Sequence, residues 1–210
     1  MTSVAVYAGG ELDEVATGYD IVVGVDAGAL FVLDHRLPLD VAIGDFDSVS
    51  AEAFQQIERL AGEVIVLPSE KNDTDLEYAL KQVFQHYPDA QVSVFGALGG
   101  RLDHTLSSVF LASEPDLSPF MEQIRLLSRD NVVAYFAAGE HEVAPVEGME
   151  YVAFMPSDGA RLSITGAKYP LSSEHYFFKK CYSSNEFIDE TLNISLDSGY
   201  VVVIYSKDRS

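Results

Sequence analysis

Tryptophan is absent, cysteine occurs once, and lysine and arginine together number 13 against 33 aspartates and glutamates. The single cysteine, Cys181, excludes an internal disulfide and suits a reducing cytoplasm, which is the expected location. No run of eighteen apolar residues is present, which speaks against a membrane-spanning helix. The amino-terminal stretch Met1-Thr-Ser-Val-Ala-Val-Tyr7 lacks a basic region and reads as a buried strand, so no secretory signal is expected. The formal net charge of −20 opposes nucleic acid and anionic membranes as partners, because phosphate backbones are bound by clustered lysine and arginine. Two local patterns are also missing. The Gly-x-x-x-x-Gly-Lys-Ser/Thr phosphate loop occurs nowhere, and no Cys/His spacing suits a metal site.

What is there is an ordinary globular composition, 48% hydrophobic and 22% charged, over 210 residues, enough for one large domain or two modest ones. The amino-terminal part alternates β-branched runs with helical patterns. Val4–Ala8, Ile21–Val25, Val41–Gly44, Glu63–Leu67 and Val92–Phe95 have the length of buried strands. Between the last two, Leu76, Ala79, Leu80, Val83, Phe84 and Tyr87 recur at steps of three and four before Pro88, and Thr74-x-x-Glu77 has the form of a capping box. A second helix is expected over Ala51–Leu60, capped by Ser50 and followed by Gly62. This rhythm predicts an α/β amino-terminal domain with a mainly parallel sheet. Beyond Asp130 the pattern changes to short alternating segments, Val132–Phe136, Tyr151–Phe154, Arg161–Thr165, Thr191–Ser195 and Tyr200–Tyr205, which predict an all-β sandwich carboxy-terminal domain. The division is placed at 1–127 and 128–210, with Ile124–Ser128 a strand that either half can claim.

Four acidic side chains come in two pairs. Asp45 and Asp47 follow an apolar strand in Ala42-Ile-Gly-Asp-Phe-Asp-Ser48, and two-residue spacing in an extended segment points both carboxylates to one side. Asp73 and Asp75, in Glu70-Lys-Asn-Asp-Thr-Asp75, stand at the start of the amphipathic helix, where Asp73 on its own also reads as a cap. Hard oxygen ligands at loop ends suit Mg²⁺, which takes one or two carboxylates plus substrate phosphates and water. In Phe95-Gly-Ala-Leu-Gly-Gly-Arg-Leu-Asp-His104 a strand opens into Gly96, Gly99 and Gly100 and then Arg101 before another helical pattern. Glycines there let backbone N–H groups approach a phosphate, and Arg101 offers it a two-pronged fork. His104 reads as structural or as polar lining.

Taken in order, Gly24-Val-Asp-Ala-Gly28, Gly44-Asp-Phe-Asp-Ser48, Glu70-Lys-Asn-Asp-Thr-Asp75, Gly99-Gly-Arg-Leu-Asp-His104, Gly166-Ala-Lys-Tyr-Pro-Leu171 and Ser184-Asn-Glu-Phe187 resemble the motifs of thiamine pyrophosphokinases across nearly the whole chain. The resemblance implies transfer of diphosphate from ATP to the thiamine hydroxyl, by in-line attack on the β-phosphorus with AMP leaving. It also implies Mg²⁺ as cofactor and a homodimer with active sites between subunits. By position, Asp45, Asp47 and Asp75 correspond to magnesium-organising carboxylates. Lys71, Asp73, Thr74 and the Gly99-Gly100-Arg101 loop correspond to ATP contacts. Asp103 would stand near the reacting groups, Asp103 and His104 would contact the thiamine substrate, and Ser184 and Asn185 would help enclose it. Asp47, Asp75, Arg101 and Asp103 carry the expected catalytic roles. Because tryptophan is absent, an aromatic wall against thiamine falls to residues such as Tyr169, Tyr182 or Phe187. Two rival readings use the same scaffold: a pyrophosphokinase acting on a pterin alcohol, and a non-catalytic nucleotide- or vitamin-binding module.

Overall fold

The computed structural model describes residues 1–13, 15–172 and 174–208, and the chain divides into two compact units, Met1–Arg129 and Asp130–Ser210. In the first unit, strands β1 (Ser3–Tyr7), β2 (Ile21–Val25), β3 (Val41–Gly44), β4 (Glu63–Val66), β5 (Gln91–Phe95) and β6 (Ile124–Ser128) form only parallel pairs with one another, in the order β6-β5-β1-β2-β3-β4. Val4, Ala5, Val6 and Tyr7 of the central strand are wholly buried, as expected of a strand covered on both faces. The pairing of Ile124–Ser128 with β5 assigns that strand to the first unit.

Two of the helices start at the caps read from the sequence. Helix α1 (Ala27–Asp34) follows β2, and α2 (Ala51–Leu60) starts where the Ala53 N–H donates to Ser50 Oγ at 3.3 Å. Helix α3 (Asp75–His86) starts where the Glu77 N–H donates to Thr74 Oγ1 at 3.2 Å, and it buries Leu76, Ala79, Leu80, Val83 and Phe84. The Glu77 carboxylate turns to Lys81 (2.9 Å). Helix α4 is Leu102–Leu111. Helix α1 is apolar from Ala27 to Leu33 and so has no helical contrast for sequence reading to detect.

The second unit is antiparallel, and its strands are longer than the sequence pattern predicts. Val132–Phe136 is the start of a 13-residue strand, β7 (Asn131–Val143). Thr191–Ser195 and Tyr200–Tyr205 are two arms of a single 15-residue strand, the last of the chain (Leu192–Ser206). Between them come β8 (Tyr151–Pro156), β9 (Leu162–Thr165) and β10 (Tyr182–Asn185), so the long final strand is β11. The β7–β11 ladder runs along both arms and shifts register between Leu196 and Tyr200; one arm of β11 also pairs β9 and the other pairs β8. The apolar pattern lapses at Ala137–Glu142, but the ladder continues there, because backbone hydrogen bonds do not require an apolar side chain.

Candidate active site

From β1 the chain steps outward through β2, β3 and β4, then crosses back to place β5 and β6 on the other side. The crevice between the exits of β1 and β5 is therefore the topological switch point, the usual ligand position in an open α/β sheet. A cleft of about 680 Å³ lies there, and residues just beyond each strand line it: Gly10 after β1, Asp26 after β2, Asp45 after β3, Lys71 after β4 and Gly96 after β5.

The exit of β3 is not extended, as the two-residue spacing predicts, but turned. Phe46 is buried against Phe54 (ring centroids 5.0 Å apart) and takes a left-handed backbone with φ 54°. The left-handed residue breaks the extended alternation that would put the two aspartates on one side. Asp45 lines the cleft with its side chain 15% exposed, while Asp47 stands on the exposed side of the turn, its N–H donating to Asp45 Oδ1 at 3.2 Å. The turn is held by Asp26, whose Oδ1 accepts from the Phe46 N–H at 3.3 Å. Gly44 is required beside it, since a Cβ there would fall 1.9 Å from Asp26 Oδ1.

Asp26 is the residue that sequence reading passed over. Burial raises its pKa to about 6, and the neighbouring Asp75 and Asp45 add to the rise; the Phe46 hydrogen bond and the Lys71 ammonium oppose it. The signal was available in Val25-Asp26-Ala27, an apolar strand running into an aspartate as at Asp45, but the motif holds one carboxylate rather than a pair.

Asp45 and Asp75 are brought together around Lys71. Its Nζ lies 3.9 Å from Asp45 Oδ2 and 3.1 Å from Asp75 Oδ1, and donates to Pro68 O at 3.1 Å. The approach to Asp75 Oδ1 is an ion pair without hydrogen-bond alignment, and that buried oxygen has no hydrogen-bond partner. Among the described residues no three His, Cys, Asp or Glu side chains close into a metal site by themselves. Two carboxylates with an unsatisfied oxygen fit an ion such as Mg²⁺, which completes its shell with phosphate oxygens and water.

Asp73 and Thr74 also line the cleft. Asp73 Oδ2 pairs with Lys81 Nζ at 2.9 Å, and the same ammonium reaches Glu77 (2.9 Å) and Asp116 (3.1 Å), so Lys81 ties the loop before α3 to the helix and to the segment after α4. These carboxylates push the Lys81 pKa up. Across the cleft Gly99 (φ 95°) and Gly100 (φ 67°) hold left-handed backbone that suits glycine. Arg101 stands at the rim, its side chain 72% exposed, with Nε and Nη2 donating to the two carboxylate oxygens of Asp103 at 3.2 and 2.6 Å. The pairing lowers the Asp103 pKa. His104, Ser107 and Ser108 of α4 line the cleft, whereas Leu102, Leu106 and Phe110 lie exposed on the helix.

In the second unit Ser184 is exposed in left-handed backbone (φ 59°), while Asn185 is buried. Asn185 Oδ1 accepts from the Tyr169 and Glu186 N–H groups (2.9 and 3.0 Å), and its Nδ2 donates to Tyr169 O (2.9 Å). Asn185 thus fastens the Gly166–Leu171 segment to β10. Tyr169 is exposed, Tyr182 is buried with its hydroxyl donating to Phe177 O (2.7 Å), and Phe187 stacks on Tyr205.

Two family models match this chain: the thiamin pyrophosphokinase catalytic domain over residues 12–124 and the thiamin pyrophosphokinase vitamin B1 binding domain over residues 140–201. A thiamine pyrophosphokinase of Bacillus subtilis is 32% identical over 99% of this chain and 100% of its own length. The chain belongs to the thiamine pyrophosphokinase family. Its fold is similar to the crystal structure of a thiamin pyrophosphokinase family protein from Enterococcus faecalis (TM-score 0.91, 37% identity, 99% of this chain and 100% of that one). It is also similar to the crystal structure of thiamine pyrophosphokinase from Bacillus subtilis (TM-score 0.83, 30% identity, 99% and 100% covered). Thiamine pyrophosphokinases make thiamine diphosphate from thiamine and ATP, and the chain is an enzyme of that reaction. The match across both units favours this reading over a pterin-alcohol kinase or a non-catalytic binding module. No helix among the described residues is long and apolar enough to cross a membrane.

Proposed function

We propose that this thiamine pyrophosphokinase binds the ATP polyphosphate in the cleft between the β1 and β5 exits, with the first unit as the ATP- and metal-binding catalytic domain. The observation that carries the reading is the convergence of Asp45, Asp75 and Lys71 opposite the Gly99-Gly100 loop in one cleft. Asp45 and Asp75 would hold Mg²⁺, with Asp47 the rim carboxylate of the same turn. The bound ion supplies charge neutralisation to the polyphosphate. Lys71, Thr74 and the backbone N–H groups of Gly99 and Gly100 orient the phosphates, while Asp73 keeps their loop in place through Lys81. Arg101 exchanges Asp103 for a phosphate oxygen, which frees Asp103 beside the acceptor, with His104 lining the pocket.

The thiamine hydroxyl oxygen then attacks the β-phosphorus in line. The bond from that phosphorus to the α-phosphate oxygen breaks, AMP leaves, and the hydroxyl proton passes to a carboxylate of the cluster. Positioning and charge neutralisation carry most of the rate in transfers of this kind. The second unit, read as a two-layered sandwich formed by the arms of β7 and β11, binds thiamine through the Ser184–Asn185 segment and joins two copies in a homodimer with active sites at the subunit interface. The site of action is the cytoplasm.

The test is AMP release from purified protein with ATP and Mg²⁺, with and without thiamine. Asp45→Asn and Asp75→Asn are each expected to lower turnover at least about tenfold, or about 1.4 kcal/mol of barrier. Near-normal AMP release by both folded variants would remove the metal assignment.

A further inference from the structure

Lys71 does more here than wait for a phosphate. Its Nζ occupies the space between Asp75 Oδ1 (3.1 Å) and Asp45 Oδ2 (3.9 Å), the same oxygens proposed above as cation ligands, and its side chain is only 15% exposed. The ammonium is steadied by Pro68 O at 3.1 Å but makes no aligned hydrogen bond to Asp75 Oδ1. An ammonium at these two oxygens disfavours a divalent ion there, because their mutual repulsion in a partly buried site opposes the gain each makes from the carboxylates. Lys71 stands in the Leu67–Thr74 connection, outside both β4 and α3, so its side chain can leave without disturbing either element.

We propose that Lys71 is a competing internal cation that makes divalent-ion binding depend on nucleotide. Its ammonium holds Asp45 and Asp75 together and keeps the affinity of the free protein for divalent ions low. The phosphates of ATP offer the ammonium a second partner, drawing it off the carboxylates as the ion enters. Metal and polyphosphate binding are thereby coupled, and the coupling is reciprocal. The inference rests on the proposed assignment of Asp45 and Asp75 as ligands, and it assigns Lys71 a positioning role in addition to any phosphate contact.

Mn²⁺ binding to the full chain without nucleotide, followed by water-proton relaxation, tests it without reference to turnover. Lys71→Met is expected to tighten nucleotide-free Mn²⁺ binding at least about tenfold, the energy of one unfavourable charge removed. Lys71→Arg, which keeps the charge, is expected to remain within about threefold of the unsubstituted protein, and Lys71→Gln serves in place of Lys71→Met if circular dichroism shows the latter unfolded. Equal or weaker Mn²⁺ affinity in Lys71→Met or Lys71→Gln, while the unsubstituted protein binds Mn²⁺ with ATP, overturns the competition and leaves the metal site standing. Failure of the unsubstituted protein to gain any Mn²⁺ affinity beyond that of ATP itself overturns the carboxylate assignment and this inference with it.

Discussion

Among the described residues Asp26 is the carboxylate whose charge the folded protein tolerates least, with a pKa near 6 caused first by burial and then by Asp75. An ordinary aspartate titrates near 3.9, so the native state holds this proton more tightly than the unfolded chain does. Its contribution to stability is fully present below about pH 4 and is lost as pH rises through about 6. Asp26→Asn keeps an oxygen for the Phe46 N–H and removes the charge. It is expected to gain about 1–2 kcal/mol at pH 7.5 and nothing near pH 4, read from urea unfolding at the two values. Equal effects at both pH values would mean that the gain is not electrostatic. Asn185 makes the opposite case. Its amide satisfies the N–H and C=O of Tyr169 and the N–H of Glu186 in a buried position, so Asn185→Ala is expected to cost about 2 kcal/mol or more, measured by denaturant midpoint. Both residues stood within recognisable motifs, but neither role was legible. A pKa depends on what the fold packs around a carboxylate, and an amide clamp depends on a segment sixteen residues away.

Among the elements, α3 and the loop before it were the most legible, and Lys81 explains how they act as a unit. Its ammonium joins Asp73, Glu77 and Asp116, so the loop that lines the cleft is tied to the helix and to the chain after α4. Lys81→Met is expected to raise the KM for ATP about three- to tenfold with a smaller change in kcat, and Lys81→Arg to restore most of it. A fall in kcat alone would count against a positioning role. The exit of β3 shows the limit of local spacing. Period-two reasoning puts Asp45 and Asp47 on one side, but it holds only for extended backbone, and Phe46 between them has φ 54°. Asp45 lines the cleft and Asp47 is exposed. Of the four non-glycine residues at positive φ among those described, Asp26, Phe46 and Ser184 lie in the family motifs, where strain is commonly concentrated. Gly44→Ala would drive a Cβ into Asp26 and is expected to cost both stability and turnover, seen as a lower Tm and slower AMP release.

At the scale of the whole molecule the dominant fact is 33 acidic residues against 13 basic ones, a self-repelling charge of −20. Raising NaCl to about 0.5 M shortens the screening length severalfold and is expected to increase Tm. Mg²⁺ added with ATP at matched ionic strength is expected to raise it beyond the value with ATP alone through the Asp45–Asp75 site, and an Asp75→Asn variant to lose that excess. By itself the sequence determined the acidic balance, the parallel and antiparallel halves, the helix starts at Ser50 and Thr74, and the family motifs. Each of these is written in composition or in spacings of a few residues. Only the tertiary structure decided that Asp26 joins Asp45 and Asp75, that Lys71 sits between two of them, that Asp47 turns outward, and that the last two strand segments are one long strand. Those outcomes come from the left-handed turn at Phe46, from the strand order that opens the β1–β5 crevice, and from hydrogen-bond ladders between distant segments, none of which local spacing encodes.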